Sequence, residues 1–148
     1  MTTPDLAKDI GHDEGLRLRA YPDPDSGAAP WTVGYGCTGA GIGPDTVWTQ
    51  AQADDELATR IQQVQSQLDL ALPWWRTLND ARQDVLVNMA YNLGVRGLCE
   101  FGRTLDAVRV GHWATVRADL LASAWAKQVR GRAVRLAEQM LTGVRVAP

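Results

Sequence analysis

The stretch DEGLRLRAYPDPDSGAAPWTVGYGCTG, from Asp13 to Gly39, decides how this chain reads. Leu16, Leu18 and Ala20 alternate with Arg17 and Arg19, which is the period-two pattern of a strand. Pro22, Pro24, Gly27 and Pro30 then mark turns, and Trp31–Tyr35 is a second extended run. The segment therefore reads as a small antiparallel sheet of two or three strands. It holds a glutamate, Glu14, two aspartates, Asp23 and Asp25, and a threonine, Thr32, that leads into glycines.

Working outward, the pattern turns helical on both sides. Thr3-Pro4 offers a hydroxyl cap and a proline for the first turn of a helix that carries Leu6, Ala7 and Ile10 and ends near Glu14-Gly15. Thr49 and Gln52 form a capping box for a long helix with an apolar stripe of Leu57, Ile61, Val64 and Leu68. The rest of its surface is polar, which suits a bridge between two lobes. Pro73 stops it. Thr77–Asp80 offers another cap, ahead of a strongly apolar helix with Ala81, Val85, Leu86, Met89, Ala90 and Leu93 that Gly94 and Gly97 end. Shorter helices follow at about 104–110, 112–123 and 131–142. The fold class is α+β. We expect one domain over residues 1–148: a β-containing lobe of about 12–48, a connecting helix of about 49–71 and a helical lobe of about 73–148, with the helix 3–14 packed on the last.

A chain of 148 residues with 45% apolar content can build one real core. The net charge of −2 gives no cue for nucleic acid, but residues 1–74 carry −7 and residues 75–148 carry +5. The basic half reads first as solvated helix faces, with contact to an anionic surface as the alternative. Arg130, Arg132 and Arg135 fall under the same reading. Cys37 and Cys99 are far apart, form no ligand cluster with histidine, and are expected reduced. The N-terminus lacks the basic and apolar regions of a signal peptide, and no apolar run approaches the roughly 18 residues of a membrane span. We expect synthesis in a cytoplasm and no stable membrane insertion.

The acids suggest a chemistry. Hydrolysis of a glycosidic bond uses one protonated carboxyl for the leaving oxygen and one ionised carboxylate for water or positive charge. Glu14, at a helix end beside Leu16 and Leu18, suits the first task; an aspartate in a proline-rich turn suits the second. Spacing alone is a weak signal, because paired acids are common.

The same residues resemble the active-site signature of the phage lysozymes, the muramidases of glycoside hydrolase family 24. The matching positions are Glu14-Gly15, Asp23 after eight intervening residues, and Thr32-Val33-Gly34-Tyr35-Gly36. Asn88–Gly94, Phe101, Gly111-His112-Trp113, Trp125, Arg132-Ala133 and Thr142-Gly143 follow the family's helical lobe in order. The resemblance implies a lysozyme-like fold and an endolysin that cleaves the β-1,4 bond between N-acetylmuramic acid and N-acetylglucosamine in peptidoglycan. It implies an inverting mechanism, with Glu14 as general acid and Asp23 and Thr32 holding the water. It implies that Asn92 contacts substrate and Asn88 is structural. No metal or cofactor is expected, the protein is expected to be a monomer, and release from the host cytoplasm to the periplasm or wall is expected to depend on a holin.

Three departures stand out. The eight residues between Asp23 and Thr32 exceed the family's usual gap, and they supply Asp25 as an alternative carboxylate whose other reading is a turn cap. Cys37 stands where the family has histidine, and reads as a buried filler. Leu141 stands where the family has an arginine near the acid, which leaves Arg17, Arg19 or Arg145 to support Glu14. The six tryptophans read mainly as packing, and His12 as a surface group near Glu14. Two other functions compete: a lytic transglycosylase that uses Glu14 alone and leaves 1,6-anhydro ends, and an inactive wall-binding module.

Overall fold

The structure, a computed structural model, describes residues 1–148. Helix α1 (Leu6–Glu14) leads into an antiparallel pair, β1 (Arg17–Tyr21) and β2 (Thr32–Gly34), and then the long helix α2 (Gln50–Ala71). A single 3-10 turn at Trp75–Thr77 precedes α3 (Asp80–Cys99), α4 (Gly102–Val110), α5 (Trp113–Ala122), α6 (Ala124–Val129) and α7 (Gly131–Thr142). This is a mostly helical α+β fold with one small sheet, as the periodicity implies. The strands pair Arg17 with Gly34 and Tyr21 with Thr32, and Arg19 bridges to Val47 as a partial third strand.

The expected caps hold at α2, where the Thr49 hydroxyl accepts from the Gln52 amide at 3.1 Å and the Gln52 side chain accepts from the Thr49 amide at 2.8 Å. Thr3 behaves differently. Its amide donates to Asp84 Oδ1 at 2.9 Å and its hydroxyl to Asp84 Oδ2, so it ties the N-terminal turn to α3 and does not cap α1. Asn79, not Thr77, caps α3, its Oδ1 accepting from the Arg82 amide at 3.0 Å, while the Thr77 hydroxyl donates to the Trp74 carbonyl at 2.7 Å. Gly94 breaks α3 with φ 75°, a conformation that glycine alone adopts cheaply. The run read as one helix to Ser123 is followed by α6, because the Ser123 hydroxyl accepts from the Ala126 amide at 3.1 Å and starts a new helix.

One continuous core joins Leu6 and Ile10 of α1 to Leu57, Ile61 and Leu68 of α2, most of α3, and Leu136 and Met140 of α7. Residues 81 and 83–90 of α3 are buried, which makes it the central helix. Helix α7 turns Ala133, Leu136, Ala137 and Met140 inward. That orientation carries Arg132 and Arg135 toward the end of α1. Trp75 and Trp125 are core residues, and Trp48 lies over Gly34, where an added Cβ would meet its ring at 2.7 Å.

Candidate active site

Asp13 and Glu14 are the last two residues of α1. The free carbonyls there carry partial negative charge, so two acids at this end are unfavourable without cations. Helix α7 supplies them. Arg132 Nη2 donates to Glu14 Oε1 at 2.9 Å, across 118 residues of sequence. Arg135 Nη1 donates to Asp13 Oδ1 at 2.7 Å, and its second nitrogen meets Oδ2. Asn88 of α3 joins the two pairs: its Nδ2 donates to Asp13 Oδ2 and its Oδ1 accepts from Arg132 Nε, both at 2.9 Å. The Asp13 side chain is 4% exposed and that of Glu14 16%. Burial alone would raise the Asp13 carboxyl, but the bonds from Arg135 and Asn88 and the two guanidinium charges outweigh it and hold it below the usual carboxylate value.

This patch corrects two sequence expectations. None of Arg17, Arg19 or Arg145 supports Glu14: Arg17 stacks on Tyr21 at 4.7 Å, Arg19 is exposed on β1, and Arg145 bonds Asp9 at 2.8 and 2.6 Å. Arg132 takes that place. Arg132 and Arg135 are therefore not on a solvated face; their side chains are 9% and 11% exposed. The sequence does carry a signal for them. Paired acids at a helix C-terminus require cations, and α7 offers two arginines three residues apart beside an apolar face.

The other carboxylate oxygen of Glu14 faces the turn after β2. A Cβ on Gly36 would lie 3.2 Å from Oε2, so glycine allows the backbone to approach, and its φ is 79°. Val33 and Cys37 close this turn with paired backbone bonds of 3.0 and 2.9 Å. The Tyr91 hydroxyl of α3 donates to the Tyr35 carbonyl at 2.9 Å. Cys37 is buried, as expected of a filler, and burial pushes its thiol up. Burial also pushes the Tyr91 phenol up, with Cys37 and the charge of Glu14 adding to the shift. A cavity of about 170 Å³ lies here between Gly36, Tyr91 and the α2 residues Arg60, Gln63 and Gln67.

Asp23 and Thr32 sit at the far end of the sheet. Thr32 pairs with Tyr21, two residues before Asp23. The Asp23 amide donates to the Ala28 carbonyl at 2.9 Å, and its Oδ2 accepts from the Ser26 amide at 3.2 Å. Asp23, rather than Asp25, is thus the carboxylate that caps the turn, while Asp25 is exposed within it. Glu14 and Asp23 therefore flank β1, one beyond each end. Asn92 is exposed on α3, and its Oδ1 accepts from Trp125 Nε1 at 2.9 Å, which leaves the amide NH2 free to donate outward. Asn88 is buried and structural, as expected.

Residues 11–140 match the family model described as phage lysozyme. This chain belongs to the phage lysozyme family. The match runs from the helix that carries Glu14 to the helix that carries Arg132, so the whole acidic and basic patch lies inside the family domain. The chain is similar to the pre-baseplate central spike protein Gp5 of Enterobacteria phage T4, at 29% identity over 93% of this chain and 28% of that protein. It is also similar to an endolysin of Bacillus phage PZA, at 34% identity over 72% of this chain and 40% of that protein. It thus spans less than half the length of these curated relatives. No helix is long and apolar enough to cross a membrane.

Proposed function

We propose that this chain is an N-acetylmuramidase that cleaves the β-1,4 bond between N-acetylmuramic acid and N-acetylglucosamine in peptidoglycan, with inversion. The carrying observation is the contrast between the two acids: Glu14 is sheltered between Arg132 and Gly36, whereas Asp23 stands in a wet turn beyond the far end of β1. Glu14 gives its proton to the glycosidic oxygen as the bond from that oxygen to the anomeric carbon breaks. A water on the opposite face attacks that carbon and passes its proton to Asp23, with Thr32 holding the water. Inverting pairs stand roughly 6.5–9.5 Å apart to leave room for that water. In this reading the Asn92 amide NH2 holds substrate while its Oδ1 accepts from Trp125, and Asp25 is the alternative base. No cofactor or metal enters this scheme.

In this reading the protein acts as a monomeric endolysin, made in the host cytoplasm and released to the wall by a holin. The similarity to a phage spike protein over nearly the whole chain supports a second setting, a lysozyme module carried on a phage particle. Digestion of purified peptidoglycan by wild type, Glu14→Gln, Asp23→Asn and Asp25→Asn, with mass spectrometry of the product ends, tests the chemistry. Reducing N-acetylmuramic ends that vanish in Glu14→Gln and Asp23→Asn support it. Anhydro ends would establish a lytic transglycosylase instead. Binding to peptidoglycan without release of fragments would leave only a wall-binding module.

A further inference from the structure

We propose that Tyr91 is a positioning residue for Glu14: its hydroxyl ties the Tyr35–Cys37 turn to α3 and so sets the wall of the cleft against the acid. This rests on the reading of Glu14 as general acid.

The geometry points to it from both sides of the carboxyl group. Helix α3 presents Asn88 and Tyr91 three residues apart, on one face. Asn88 grips Arg132, which holds Glu14 Oε1. Tyr91 grips the Tyr35 carbonyl, and the next residue, Gly36, lies against Glu14 Oε2. One helix face therefore acts on both sides of the acid, holding Oε1 through the Arg132 cation and setting the backbone turn that lies close to Oε2.

The backbone of this segment has one other tie to the helices, beyond Cys37, where Arg60 Nη2 of α2 donates to the Thr38 carbonyl at 3.2 Å. Gly36 is exposed and has no side chain to anchor it. The Tyr35 ring rests on Gly11 of α1, where an added Cβ would meet it at 3.2 Å, and its hydroxyl donates to Asp54 of α2 at 2.9 Å. These contacts hold the side chain of Tyr35. Only the Tyr91 bond, at 2.9 Å across 56 residues, holds its backbone carbonyl to α3. The phenol is half-buried and pushed up by burial, so it remains a neutral donor across the pH range in which a carboxylic acid works. Phenylalanine at this position would keep the ring packing and lose the hydroxyl's contacts with the turn, the bond to the Tyr35 carbonyl and the interaction with the Cys37 thiol.

The test is Tyr91→Phe, assayed on soluble peptidoglycan fragments beside wild type and Glu14→Gln. Loosening the wall by a fraction of an ångström is expected to lower kcat about tenfold with KM within about twofold, because misplacement of reacting groups costs rate before it costs binding. Hydrogen exchange at the Cys37 amide, which donates to Val33, is expected to quicken in step, while Tm moves only a few degrees. A Tyr91→Phe enzyme with wild-type kcat overturns the proposal, as does a KM rise at constant kcat, which would make the hydroxyl a substrate contact. A kcat loss that only tracks the loss of folded protein overturns it as well. If Glu14→Gln retains activity, the acid assignment falls and this proposal falls with it. If Glu14→Gln is inactive and Tyr91→Phe is fully active, only the Tyr91 proposal fails.

Discussion

The two ends of β1 are held by opposite kinds of interaction. At the start, Asp13 and Glu14 are fixed by Arg132, Arg135 and Asn88, residues 44 to 122 positions away from the partners they meet. At the end, Asp23 is fixed by Ser26 and Ala28, within its own turn. The first patch is buried and depends on the packing of α1, α3 and α7. The second is exposed and needs only the hairpin. The lesson is that two adjacent sheltered acids need cations that only tertiary structure brings, whereas a carboxylate open to water can be held by local turn chemistry.

The comparison breaks first at Glu14. Replacing Glu14 with Gln is expected to cut hydrolysis of peptidoglycan about a thousandfold, since general acid catalysis contributes on the order of 10²–10⁴; turnover above a tenth of wild type would remove Glu14 from the chemistry. Arg132→Ala attacks the same end through its support. It leaves two buried acids and Asn88 short of a partner, and should cost about 3 kcal/mol in denaturant unfolding. A loss below about 0.5 kcal/mol would show the patch to be only a surface pair. At the other end, Asp23→Asn should lower activity about a hundredfold and leave unfolding midpoints unchanged, with Asp25→Asn within about twofold of wild type. The reverse ranking would give the water to Asp25.

Two buried aspartates sharpen the contrast through pH. Asp13 is held below its ordinary value, so its contribution is present above about pH 4 and is lost as pH falls further. Asp84 is raised to about 6, first by burial and then by Asp9 and Asp80, against the bonds from Thr3. Its folded form binds a proton that the unfolded chain has released, so its effect is a loss of stability as pH rises from about 4 to about 6. Melting curves of Asp84→Asn taken between about pH 4 and pH 7 should lose that downward slope. An unchanged slope would place the titration elsewhere.

Much of the fold was legible because local rules agreed with one another. The capping box at Thr49, the break at Gly94, the hairpin after Gly15 and the limits of α7 follow from side-chain chemistry within a few residues. The family signature around Glu14, Asp23 and Thr32 was legible for the same reason. Thr3 misled because its amide and hydroxyl donate to Asp84, 81 positions away, while α1 starts later with Asp5 at its N-cap position and no side-chain cap bond. α6 was missed because Ser123 reads as the end of one helix and residues 124–130 as a connection, although the Ser123 hydroxyl also caps a new helix.

The sequence by itself determined most of the element types and their order, and the residues that suggest glycoside chemistry, since these rest on periodicity, caps and turn residues close in the chain. Only the tertiary structure decided which arginine meets Glu14 and what presses on its other oxygen. Those choices depend on how α7 and α3 rotate to bury Leu136, Met140 and Met89, and no local rule specifies a rotation that only packing can fix.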